Sequence, residues 1–264
     1  MKVMDAIKRG FEIANSNMNL VLVIFIFNCV WNLGIIPFSP VTPTAGMGVA
    51  MSPVLTLISL AFILASIFIQ GGVLGCMMDI VKKGGVDLSK FKDYGLKFYL
   101  RLVCLALIII LIIGVIAFIA TLIVAASAPT KNAVIIAITT ILALIIGGAG
   151  IYLVILLFLS PYILVAEDVG IVDSMRRSIE FVRLALARVI GLGALLVLIG
   201  LGIGLITGII AGVISLAIKG KFLQAIAGIL NGGVNAYLSV IVTGCLVTFY
   251  LALKGSGSKE TPAV

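Results

Sequence analysis

The chain has no histidine, and only 11% of its 264 residues carry a charge. It therefore lacks the side chain that most often acts as general base near neutral pH and most often ligates zinc. Cysteine is scarce as well: Cys29, Cys76, Cys104 and Cys245 stand far apart, with no C-x-x-C spacing. Such isolated cysteines read as small apolar packing residues, not as disulfides or a metal site. No G-x-x-x-x-G-K-[ST], H-E-x-x-H or G-x-S-x-G stretch occurs, which leaves P-loop, zincin and serine-hydrolase chemistry without a motif. The adjacent acids Glu167 and Asp168 point different ways from one backbone, and no nucleophile or metal partner stands near them in sequence. No catalytic residue, metal or cofactor is expected.

What the chain has in abundance is apolar length. Hydrophobic residues make up 62% of it, against about half in a soluble domain. Six apolar runs, near 18–36, 53–80, 99–127, 133–160, 189–217 and 225–253, are each long enough to cross roughly 30 Å of hydrocarbon. The expected fold is all-α: a polytopic membrane domain over residues 1–254 with a disordered cytoplasmic tail, 255–264. The first run is too long for a signal-peptide core and reads as a retained span.

Charge sets the orientation. Fifteen of the eighteen Lys and Arg residues precede span one, separate spans two and three or four and five, or follow span six. The remaining three are Lys131, Lys219 and Lys221. The positive-inside rule puts both termini in the cytoplasm, and all ten acids fall on that side too. The formal net charge of +8 then follows from topology and calls for no nucleic-acid partner.

The cytoplasmic segments repeat a pattern. MDAIKRGFEIAN (4–15) and VDSMRRSIEFVR (172–183) both read D-x-x-+-+-x-x-E, as Asp5, Lys8, Arg9, Glu12 and Asp173, Arg176, Arg177, Glu180. On a helix these are i, i+3 and i+4 neighbours. The opposite faces are apolar, Val3, Ile7, Phe11, Ala14 and Ile171, Met175, Ile179, Val182, the pattern of helices that lie in the headgroup plane. VDLSKFKDYGLKFYLRL (86–102) is a looser copy. The expectation is a threefold parallel repeat of helix–span–span units, 1–81, 86–166 and 169–253, with interfacial helices at 3–16, 87–98 and 171–187. Pro161 should end or kink the fourth span. Asp168 or Asp173 can cap the helix that follows.

The spans hold no ionisable group near their centres. Their polar residues are Asn28 and Asn32 in the first, Gln70 in the second, Thr139 and Thr140 in the fourth, and Asn231 and Asn235 in the sixth. Such groups either bond across helices or line a polar pocket. Gly200, Gly204, Gly208 and Gly212 recur every four residues in the fifth span, a flat ridge for another helix of the chain or of a second copy. Gly71 with Gly75, and Gly228 with Gly232, are shorter versions.

Three stretches, AIKRGFEIANSNMNL, GGVLGCMMDIVKKGGVDLSKF and SPYILVAEDVGIVDSMRRSIEFV, resemble a broad grouping of poorly characterised six-span prokaryotic membrane proteins. That grouping includes the membrane domain fused to some glycerophosphodiester phosphodiesterases. The resemblance implies a helical domain in the plasma membrane of a prokaryote. With the soluble phosphodiesterase domain absent from this sequence, it implies no hydrolase activity.

Two functions compete. The first is a non-catalytic membrane protein that meets lipid or a protein partner through its cytoplasmic helices. Lys82, Lys83, Lys90, Lys92, Arg176, Arg177 and Arg183 would then contact anionic headgroups. The alternative is a transporter or pore for a small or lipid-like solute, for which Asn28, Asn32, Gln70 and Asn235 should converge on a central cavity.

Overall fold

The computed structural model describes residues 3–38, 53–85, 87–130, 132–217 and 220–257. Among these the chain folds into helices, with no strand. In order they are α1 (Val3–Ser16), α2 (Met18–Ile35), α3 (Pro53–Lys83), α4 (Phe91–Ser127), α5 (Ala133–Leu157), α6 (Ser160–Glu167), α7 (Ile171–Leu184), α8 (Leu186–Ala217) and α9 (Lys221–Gly257). Six stretches are long and apolar enough to cross a membrane: Met18–Ile35, Thr56–Lys83, Leu88–Ser127, Ala133–Glu167, Leu186–Ser215 and Lys221–Gly255. They match the six runs of the sequence and are compatible with a multi-pass membrane protein. Of the expected tail, 255–257 complete α9, while 258–264 lie outside the described residues, as do Lys131 and Lys219.

The chain divides into two compact units, residues 1–99 with 191–264, and residues 100–190. The first is organised around α9, which packs on α1, α2 and α3. Between Ala236 and Tyr250 that helix is buried at Ala236, Val240, Ile241, Cys245, Leu246, Val247, Phe249 and Tyr250. The contact with α1 is at backbone range. A Cβ on Gly10 would stand 2.8 Å from the Ile241 carbonyl oxygen and 3.2 Å from the Cys245 nitrogen. Around this seam α1 buries Ala6, Ile7, Gly10, Ile13 and Ala14. Its buried face is therefore turned slightly from the expected one: Val3 and Phe11 are only half-buried, because the close approach needs glycine and alanine at the contact.

The corner between α3 and α4 is fastened in the same way. The Phe91 ring covers Gly72, the Tyr94 ring covers Gly75, and Phe68 reaches Gly95. The helix expected at 87–98 is not a separate element: after one 3-10 turn at Leu88–Lys90, α4 runs unbroken from Phe91 to Ser127. Asp87 starts that turn, accepting from the Ser89 backbone N–H at 3.1 Å and from its hydroxyl at 2.6 Å. Nothing between Phe91 and Ser127 interrupts the helix, since that stretch has no proline and no residue with positive φ.

In the second unit α7 packs on α5 and α6. It buries Ser174, Ser178 and Val182 against them, while Ile171, Met175 and Ile179 are half-buried. Small hydroxyls allow close approach, and each finds an acceptor: Ser178 Oγ donates to the Leu156 carbonyl at 2.7 Å and Ser174 Oγ to that of Ile171 at 2.7 Å. α5 ends at Leu157, and Pro161 lies in the first turn of α6, where its missing N–H costs nothing. Neither Asp168 nor Asp173 caps α7. Gly170 holds the N-cap, whereas Asp168 takes the left-handed conformation that ends α6 (φ 53°), one that aspartate tolerates better than most residues.

The seam between α1 and α9 gives a direct test. Gly10→Val should lower the apparent Tm in detergent by the equivalent of about 1–3 kcal/mol of overpacking. Gly208→Ala on α8, where a Cβ meets nothing within 4 Å, should leave it unchanged or raise it. Thermal unfolding monitored by circular dichroism reads both; equal effects would show that the close seam is not a stability determinant.

Candidate functional site

The amides of the spans divide into two kinds. Asn28 Nδ2 donates to the Gly232 carbonyl at 3.3 Å, and Asn32 Nδ2 to the Gly228 carbonyl at 3.1 Å. The two asparagines stand one turn apart on α2, and the two glycines one turn apart on α9. With no Cβ in the way, α2 rests its asparagine side chains directly on the α9 backbone; the Asn32 Cβ would be 3.2 Å from a Cβ on Gly228. These are bridges between helices. Asn235 Nδ2 donates to Asn231 Oδ1 at 3.1 Å along α9. On α5, Thr139 and Thr140 return their hydroxyls to helix carbonyls, at 2.9 Å to Ile135 and 2.8 Å to Ile136.

Gln70 is different. Among the described residues its side chain makes no hydrogen bond, and it borders a cavity of about 440 Å³ between α2, α3 and α9. That volume lies in the range of pockets that hold small organic ligands. The apolar wall consists of Ile24 and Phe27 from α2 and Phe62, Ile69 and Val73 from α3. Phe27 and Phe62 stack with centroids 5.7 Å apart, and Trp31, the single tryptophan, lies on the other contact of Phe62 at 4.6 Å. The polar wall is Asn28, Ser66, Gln70, Asn235, Ser239 and Thr243. Ser66 bonds its own helix, at 2.6 Å to the Phe62 carbonyl. Ser239 and Thr243, like Gln70, have no hydrogen-bond partner among the described residues, and Thr243 is only 9% exposed.

Of the residues expected to converge, the fold thus brings Asn28, Gln70 and Asn235 to one cavity. Asn32 instead bridges helices one turn away, and Asn231 borders a second hollow of about 340 Å³ between α8 and α9, which Asn235 also lines. Gly200, Gly204 and Gly208 form the α8 wall of that hollow, and no described atom comes within 4 Å of a Cβ built on any of the four ridge glycines. Ser239 and Thr243 were not singled out in the sequence. Their signal was present: Asn231, Asn235, Ser239 and Thr243 are spaced by four, a polar stripe along α9.

The charged ends carry their own pairs. Asp79, at the end of α3, accepts from the Tyr94 hydroxyl at 2.6 Å and pairs with Lys83 at 2.7 Å. Arg101 pairs with Asp168 at 2.7 Å, and Arg177 with the almost buried Glu167. The two copies of the charge pattern pair differently: Arg9 meets Glu12 three residues on, at 2.9 Å, while Arg176 meets Glu180 four residues on, at 3.8 Å. Lys90 lies 3.6 Å from Asp87. The Ser89 hydroxyl, then the Ser89 backbone N–H, hold the Asp87 carboxyl below the usual carboxylate range. Of the expected headgroup cations, Lys83, Lys90, Arg176 and Arg177 are thus engaged by the chain's own acids. Lys92 and Arg183 make no ion pair among the described residues. No cluster of metal-binding side chains occurs among the described residues.

The two kinds of amide should respond differently to substitution. Asn32→Leu should cost about 0.6–2 kcal/mol by removing an interhelical bond, whereas Gln70→Leu, with no bond to lose, should leave stability unchanged or raise it. Denaturant titration of the purified protein in mixed micelles checks this; a larger loss for Gln70→Leu would mean that Gln70 is a structural amide.

Comparison with curated proteins and with solved structures yields no match. A family model does match, over residues 1–253, which takes in α1 to the greater part of α9 and every residue of the cavity. The chain belongs to the family defined by that model, the domain of unknown function DUF7847.

Proposed function

We propose that the protein is a non-catalytic, multi-pass membrane protein that binds a small or lipid-like solute in the cavity between α2, α3 and α9, in the manner of a transporter or pore. The observation that carries this reading is the set of polar groups without partners there. In an apolar bundle, polar side chains normally bond to one another or to the backbone, as Asn28, Asn32, Ser66 and Thr139 do. Gln70, Ser239 and Thr243 do not. Thr243 is buried, while Gln70 and Ser239 are exposed where they border the cavity. With lipid in place of water, a polar group left there without a bond costs about 1–3 kcal/mol. A solute or water that bonds to them removes that cost.

The setting is read from charge. The protein would lie in the plasma membrane of a prokaryote with both termini in the cytoplasm. α1 and α7 would lie on the inner face, and the wider likeness to the membrane domain fused to glycerophosphodiester phosphodiesterases fits such a placement. Of the threefold repeat, two copies are kept, α1 and α7, which share a charge pattern and an amphipathic build. The continuous α4 does not support a third interfacial helix.

A second reading, contact with lipid headgroups or a protein partner through the inner face, draws on Lys92 and Arg183 and on exposed apolar side chains of α7, Val172 at 74% and Leu184 at 90%. Arg176 and Arg177 support it less, since pairing with Glu180 and Glu167 already neutralises them.

Native mass spectrometry of the protein released gently from its own membranes separates the two. The cavity reading expects a stoichiometric non-protein adduct that Gln70→Leu with Thr243→Val removes. Adducts of anionic phospholipid alone, lost in Lys92→Gln with Arg183→Gln and kept in the cavity variant, would instead favour the headgroup reading.

A further inference from the structure

The cavity's chemistry points to the class of its occupant. We infer that it takes an uncharged amphipathic molecule, with a hydroxyl or amide head held by Gln70, Ser239 and Thr243 and an apolar body lying along Phe27 and Phe62. This rests on the solute-binding reading above and narrows it.

The first argument is charge. Not one residue lining the cavity is ionisable. An ion placed there would have no counter-charge in a low-dielectric bundle, and such an ion is held only when paired. The nearest acid by sequence on α3, Asp79, is already bonded by Tyr94 and Lys83.

The second argument is polarity along the cavity. Both α3 and α9 run toward the charged end of the unit, and Met77 Sδ is 3.6 Å from where a Cβ on Gly244 would stand. That register sets Gln70 and Ser239 within about one helical turn of each other, with Thr243 one turn beyond. Phe62 lies two turns back along α3 from Gln70, stacked between Phe27 and Trp31. The polar groups nearer that end, Asn28 and Asn235, are already donating to Gly232 and Asn231. The lining side chains that make no hydrogen bond among the described residues are thus gathered at one end and the aromatic surface at the other. Glutamine offers donors and an acceptor, and the two hydroxyls can do either. A head group that both donates and accepts, such as an alcohol or a primary amide, satisfies all three.

Trp31 makes the occupant visible, because a heavy atom at the tail of such a molecule would lie beside the Trp31–Phe62 contact and quench its fluorescence. The protein is placed in nanodiscs of zwitterionic lipid and titrated with terminally brominated undecanol, undecyl sulfonate and undecyl trimethylammonium. Quenching that unbrominated undecanol reverses reports the site, and quenching that it does not reverse reports partition into lipid. The expected result is reversible quenching by the alcohol, with either ion about tenfold weaker or absent. Gln70→Leu with Thr243→Val should abolish the reversible part while circular dichroism and elution volume stay unchanged. Gln70→Glu, which keeps the shape and adds a negative charge, should weaken the alcohol and admit the ammonium probe. Equal or stronger reversible quenching by an ion in the wild-type protein overturns the uncharged class but keeps a solute cavity. No reversible quenching by any of the three overturns both.

Discussion

A polar group in an apolar bundle has no water to fall back on, so its partner must be built into the fold. Much of this structure follows from how that requirement is met. α2 meets it by resting Asn28 and Asn32 on carbonyls of α9, which obliges α9 to present glycine at 228 and 232. α7 meets it with Ser178, whose hydroxyl reaches the Leu156 carbonyl near the end of α5. In both places the small residue and the polar residue are one device. The first lets backbones approach, and the second uses the proximity to bond a main-chain oxygen. Where the device is missing, around Gln70, Ser239 and Thr243, a cavity remains.

Glycine therefore has two uses here that its spacing alone does not separate. Gly10, Gly72, Gly75, Gly228 and Gly232 each receive part of a neighbouring helix. The four ridge glycines of α8 have the stricter period, yet receive no described atom within 4 Å. A period-four glycine ridge requires only that a helix face be flat. What fills it depends on the facing side chains, and those of α2 and α4 supply asparagine and aromatic rings at matching heights.

The legibility of the fold follows the same logic. Span length and charge are summed over twenty residues, so six membrane-length helices, the break at Pro161 and the helices α1 and α7 could be read directly. The rotation of α1 and α7 could not. An amphipathic pattern favours the largest apolar side chains, Phe11 or Met175, whereas a close helix seam selects the smallest, Gly10 or Ser178. The separate helix at 87–98 failed for a related reason: Phe91 and Tyr94 lie on the same continuous helix as the span, held to α3 by Gly72 and Gly75. Of the cavity, Asn28, Gln70 and Asn235 stood out as amides in apolar runs. Ser239 and Thr243 did not, because hydroxyls in a membrane helix usually bond their own backbone, and only the fold reveals that these two do not.

The seam that orders α9 runs beside the cavity. Thr243 lines the cavity, and its neighbour Gly244 is already enclosed by Gly10, Ile13 and Met77; a Cβ there would be 3.4 Å from the Gly10 Cα and 3.5 Å from Ile13 Cδ1. α1 thus meets α9 with its small, apolar face while Arg9 and Glu12 pair on its exposed one. Further back along α9 the Tyr237 hydroxyl donates to Asn15 Oδ1 at 2.7 Å, so α1 is tied to α9 by a hydrogen bond as well as by the close approach at Gly10.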